Sequence, residues 1–191
     1  MANPDRPNGF IPVGTLDGSP WNGKVRRYAA ADRSSDSTNN HGDIYVGDPV
    51  SLSSGAIVPA DSGDTVVGVA VAVGVEDSVN DGIGPFDPNN LEKRYLALGE
   101  DGYVYVAPAD GVLFEVQTAA DLDLVPGSAA DFSTDADEAH GSRVTGRSSA
   151  ELVANSNGDV VVVEDNLAVD NDTSLANARH VVRFTTTAFT Q

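Results

Sequence analysis

Apolar and polar positions alternate in short bursts along most of the chain, and glycine, proline and small polar residues cut the bursts apart. Ile44-Tyr45-Val46 reads as a short strand, Gly47-Asp48-Pro49 as a turn, and Val50-Ser51-Leu52 as the next strand. Ser53-Ser54-Gly55 turns again before Ala56-Ile57-Val58, and Ser62-Gly63-Asp64 precedes the longest apolar run, Val66 to Val75. That run lacks alternation, as expected of a strand buried on both faces. Three strands in quick succession predict an antiparallel meander or small barrel.

Further strands are expected at 94–98, 103–107, 111–117, 143–153, 159–164 and 178–189. Val104 and Val106 share one face of theirs, with Tyr103 and Tyr105 on the other. Val112, Phe114 and Val116 lie opposite Leu113, Glu115 and Gln117, and Val182, Phe184 and Thr186 lie opposite Val181, Arg183 and Thr185. No sustained 3.6-residue apolar period occurs, and 119–125 allows at most a helical turn or two. Polar or Gly/Pro-rich stretches at 30–43, 77–90 and 131–141 read as loops. The chain is therefore expected to be all-β, a small antiparallel β-barrel or sandwich.

The opening differs. Pro4, Pro7, Pro12 and Pro20 punctuate residues 1–21, which rules out a helix and disfavours a central strand. An extended N-terminal arm over 1–21 fits, with 22–191 as the β-rich body, divisible into a barrel over 22–117 and additional strands over 118–191. Phe10, Ile11, Val13, Leu16 and Trp21 are the arm's apolar contacts. They either reach outward to a partner, with Trp21 the best candidate hot spot, or fold back onto the protein's own core.

Charge narrows the partners. With 29 acidic against 11 basic residues the net charge is -18. Such a surface repels phosphate backbones and anionic lipid, so neither nucleic acid nor membrane is an expected partner. The N-terminal residues lack the apolar stretch of a signal peptide, and no apolar run approaches the ~20 residues of a membrane helix. Cysteine is absent, which excludes disulfides and thiolate chemistry.

Catalytic signatures are missing too. His41, His140 and His180 fall in no metal-binding pattern, no GxSxG elbow or phosphate-binding Gly-Lys loop occurs, and Gly82-Ile83-Gly84-Pro85 lacks the third glycine of a dinucleotide fingerprint. Acidic pairs stand at Asp121 and Asp123, at Asp135, Asp137 and Glu138, and at Asp170 and Asp172. None follows the twelve-residue calcium loop; residues 135–138 are the least unfavourable place for one. The chain is read as a non-enzyme with no cofactor.

Several strings resemble small structural proteins of tailed bacteriophages, the capsid decoration or cement proteins. Asn3-Pro4-Asp5-Arg6-Pro7-Asn8-Gly9-Phe10, continuing through Pro12-Val13-Gly14 to Gly18-Ser19-Pro20-Trp21, is similar to their N-terminal segment. Ile44-Tyr45-Val46-Gly47-Asp48-Pro49-Val50 resembles their first barrel hairpin, and Gly55-Ala56-Ile57-Val58-Pro59-Ala60 with Val67-Gly68-Val69-Ala70 their next strands. Gly102-Tyr103-Val104-Tyr105-Val106-Ala107 with Val112-Leu113-Phe114-Glu115-Val116-Gln117 resembles their second half. The likeness spans residues 3–117 and fades afterwards. It implies a protein made in the host cytoplasm and carried on the outer surface of the virion. There it would bridge subunits of the major capsid protein, usually as a homotrimer, with Phe10, Ile11, Val13, Leu16 and Trp21 as the anchors. The alternative is a head-fibre or surface module that binds host glycans, for which Tyr103 and Tyr105 could stack on sugars.

Overall fold

The structure, a computed structural model, describes residues 2–30, 42–75, 94–98, 100, 102–133, 141–166 and 168–189. Among these, all regular structure is β, as the alternation predicts. The strands are β1 (Ile11–Thr15), β2 (Arg26–Ala29), β3 (Ile44–Tyr45), β4 (Pro49–Ser53), β5 (Ala56–Pro59), β6 (Val66–Val75), β7 (Tyr95–Leu96) and β8 (Gly102–Pro108). They continue as β9 (Val112–Gln117), β10 (Ala129–Ser133), β11 (Gly141–Ser142), β12 (Arg147–Ser148), β13 (Glu151–Val153), β14 (Val160–Asp165) and β15 (Arg179–Phe184).

Two antiparallel sheets dominate. One has the order β1-β9-β15-β14-β10-β13, the other β2-β8-β6-β4-β5, and two-stranded pairs β3-β7 and β11-β12 complete the set. The arrangement is sandwich-like rather than a closed barrel. The six-stranded sheet curls far enough for Thr118, just past β9, to meet Leu152 of β13 in a single parallel bridge. The strand expected over 143–153 is broken into β11, β12 and β13. The one expected over 178–189 stops at Phe184, and 119–125 contains no helical turn.

β6 explains the unalternating run. Val66 and Val69 face the larger apolar cluster, while Val67 and Ala70 face the smaller one. The strand slips register at Val67 against β4 and at Val71 against β8, so each bulge re-aims the side chains that follow. Gly68 is required there, because a Cβ would fall 2.6 Å from a Val106 methyl carbon.

Four phenylalanines fill the centre of the larger cluster. The Phe10 ring lies 5.1 Å from Phe184, 6.0 Å from Phe132 and 6.5 Å from Phe114, centroid to centroid, and the last two contacts are edge-on. Edge-on contact brings the positive rim of one ring to the negative face of the next. The outward alternation predicted for β8 and β9 holds, with Val104 and Val106 buried against the smaller cluster and Val112, Phe114 and Val116 against the larger.

Candidate docking surface

The proline-rich opening is extended, and it is laid along the body. Asn3 is buried and ties it to the far end of the chain: its amide donates to the carbonyls of Asp172 (2.8 Å) and Ala176 (3.0 Å), and its Oδ1 accepts from the Asp172 N–H (2.8 Å). The Arg6 N–H donates to the Gln117 side-chain oxygen (3.1 Å), and the Gln117 amide donates to Asp5 (3.0 Å). The Phe10 N–H donates to the Gly47 carbonyl (2.9 Å). Gly9 sits at φ +64 with no room for a side chain, since a Cβ would lie 2.6 Å from that of Ser148. This forces the chain down so that Phe10 enters the core.

The five candidate anchors therefore separate. Phe10 is 1% exposed and belongs to the protein's own core, so it cannot reach a partner. Ile11 is half-buried in β1 opposite Glu115. Trp21 is half-buried against the larger cluster, with its indole N–H enclosed and unpartnered. Val13 (39%) and Leu16 (55%) remain exposed. Pro12 is accommodated because β1 is the edge strand of its sheet, as the rule for strand proline requires.

A tight return after β1 holds Leu16 out. The Thr15 N–H donates to the Ser19 carbonyl (2.9 Å), the Gly18 N–H to the Thr15 carbonyl (2.9 Å), and the Leu16 N–H to Gly111 (3.0 Å). Gly18 takes φ +84, which a glycine adopts without strain. Asp17 accepts from the Thr15 hydroxyl and the Ser19 N–H, and these hydrogen bonds hold its carboxyl below the usual range. Val13 and Leu16 stand over an open groove of about 680 Å³ whose floor includes Leu113, Val163 and Val181.

Several other charged groups have structural partners. Asp43 lies at the end of a stretch that reads as an exposed loop, yet it is buried. It accepts from the Tyr45 hydroxyl (2.9 Å), the Arg143 Nε (2.7 Å) and the Leu98 N–H (2.9 Å). Burial pushes its carboxyl up, but these hydrogen bonds outweigh burial and hold it low. Tyr45 is pushed up to about 12, by burial first and then by its hydrogen bond to Asp43. Asp48, in the Gly-Asp-Pro turn, is wholly buried. Its Oδ2 accepts from the Tyr45 N–H (2.7 Å), its Oδ1 has no partner, and burial pushes it up to about 7.

Asp131 is likewise strand rather than loop. It caps the turn after β13, accepting from the N–H groups of Ser156 (2.6 Å), Asn157 (3.0 Å) and Gly158 (2.7 Å). Burial opposes ionisation there, and the backbone donors prevail and lower its pKa. His180 is buried beside Asp165 (3.1 Å), and burial pushes its pKa down despite that neighbour.

Asp170 is paired with Arg179 (2.6 Å), Asp172 accepts from Ser174, and Asp121 and Asp123 are exposed. Residues 135–138, 82–85, His41 and His140 lie outside the described residues. Among the described residues no group of three or more acidic or histidine side chains is placed to hold a metal ion, and no helix is long and apolar enough to cross a membrane. On β8, Tyr103 is half-buried with the Arg27 guanidinium 4.6 Å from its ring centroid.

The fold defines an all-β, sandwich-like protein. Comparison with protein-family models, with curated proteins and with solved structures finds no match.

Proposed function

We propose that this chain is a structural virion protein that binds the outside of a tailed-phage capsid and stabilises it by bridging subunits of the major capsid protein, as a homotrimer. The observation that carries the reading is the hydrogen-bonded return after β1, which presents Val13 and Leu16 to solvent at a sheet edge of an otherwise acidic molecule. Ordered apolar side chains on a stiff support bind without a large entropic cost. Many copies on one shell multiply a modest contact into firm attachment. The resemblance of residues 3–117 to decoration proteins supplies the partner. Of the original anchors, Val13 and Leu16 carry the contact, Ile11 and Trp21 brace it, and Phe10 fixes the segment from inside.

Co-sedimentation with empty phage heads tests the reading. Wild type pellets saturably with heads, and the double variant Val13→Asp, Leu16→Asp stays in solution while keeping its melting temperature. A wild-type protein that never pellets with heads sinks the proposal. Light scattering on the isolated protein checks the trimer, and a glycan array checks the rival sugar-binding reading.

A further inference from the structure

The groove beside the β1 return has a chemical character of its own. Leu113 and Val181 project from β9 and β15 on the face opposite the phenylalanine core, and both are nearly buried there. Val163, at the bulge where β14 slips against β15, extends the apolar floor. Leu16 and Pro20 form one wall. Around this floor stand three carboxylates, Glu115, Glu164 and Asp165, and among the described residues no lysine or arginine lines the groove.

The cations that meet the rim carboxylates leave that imbalance in place, and Arg183, exposed on the Val181 face of β15, is not among the residues that line the groove. Arg179 lies 3.9 Å from Glu115 but is bonded at 2.6 Å to Asp170 outside the groove. His180 meets Asp165, but its burial favours the neutral ring, which leaves the Asp165 charge uncompensated. The whole molecule, at -18, adds a long-range field of the same sign.

We infer that this groove is a docking site for an extended, cationic segment of a partner protein, with a branched apolar side chain on the Leu113–Val181 floor and Lys or Arg on either side reaching the carboxylates. The inference rests on the decoration reading only for where that partner is found. An extended chain suits the site because alternate side chains point the same way, about 6.6 Å apart, so residues flanking the apolar one by two positions face the same rim. The carboxylates raise the rate of encounter and reject acidic segments, while the floor supplies the apolar contact.

A selection from displayed random dodecapeptides on the intact protein tests this, followed by fluorescence anisotropy with the enriched peptides. The enriched sequences should pair Leu, Ile, Val or Phe with flanking Lys or Arg. They should bind about tenfold or more weakly to Leu16→Asp and to Glu164→Lys, and weaken between about 50 and about 500 mM salt. Both substituted positions are exposed, and unchanged melting temperatures show that the variants fold. No enrichment, acidic or uncharged consensus sequences, or binding indifferent to both substitutions would overturn the inference. Phage heads separate it from the parent reading. If Glu164→Lys decorates heads as wild type does while Val13→Asp, Leu16→Asp does not, the groove is not the contact and the decoration reading stands. If heads bind nothing while cationic peptides fill the groove, the reverse holds.

Discussion

Replacing Phe10 by alanine is the sharpest probe of how this fold is closed. The ring is 1% exposed and touches three other phenylalanines, contributed by β9, β10 and β15. Phe-to-Ala changes in packed cores cost about 3–5 kcal/mol through lost transfer energy and the cavity left behind. The upper half of that range is expected here, because the surrounding aromatic rings are rigid and held by three separate strands, so collapse into the void is limited. For a chain of this length the melting temperature should fall by about 8–20 °C, at about 2–4 °C per kcal/mol. Trp21 is the single tryptophan and packs against the same cluster, so its fluorescence in a urea titration reports this core directly. Leu16→Ala is the control and should stay within about 0.5 kcal/mol of wild type. A Phe10→Ala protein within about 1 kcal/mol of wild type would refute the reasoning, because the opening segment would then not be part of the core.

Other substitutions read other parts of the molecule. Asp48 is buried with its pKa raised from 3.8 to about 7, so its contribution to stability is full below pH 3.8 and is lost as pH rises through about 7. At about 1.4 kcal/mol per pH unit the loss is about 4 kcal/mol. Asp48→Asn should be more stable than wild type at pH 8 by about 1–4 kcal/mol, with the advantage vanishing near pH 4; equal pH profiles by urea titration would contradict this. Asp131→Asn should cost about 2–3 kcal/mol, as a charged acceptor serving several backbone donors is weakened. It should also speed hydrogen exchange at 156–158, and unchanged exchange there would count against the cap. Gly9→Ala should destabilise by at least about 2 kcal/mol, since it meets both the positive φ and the Ser148 side chain; wild-type melting would show that the segment can shift.

Much of the body was legible because its signals are local. The runs at 44–58 and 66–75 carry strand alternation, or its absence, together with glycine turns, and β3 to β6 follow them closely. β8 and β9 bury the faces their alternation selects. What stayed hidden depends on distant partners. Asp48 looks like an exposed turn residue because nothing local reveals its complete burial, and Asp131 like a loop residue because the 156–158 backbone that it caps begins 25 residues further on. β2, Arg26–Ala29, is too charged to read as a strand and exists because β8 offers its edge. Within the opening segment, Gly9 before Phe10 is the one local hint of burial, and only the contact with Gly47 and Ser148 gives it meaning. Val13 and Leu16 stand out in the sequence only for being apolar; that they line a groove is decided by β9, β14 and β15.

The bonding of the opening segment also sets an order of events during synthesis. Asn3 finds its acceptors at Asp172 and Ala176, and Phe10 finds its closest ring at Phe184. On the ribosome Asn3 must therefore stay unsatisfied until its acceptors, 169 and 173 residues further along, have followed. Prolines at 4, 7 and 12 suit that wait, because they keep the segment from settling into a helix or a wrong hairpin. Contacts this distant in sequence close slowly, so the larger core should form only after translation has passed β15, with the opening segment sealing it.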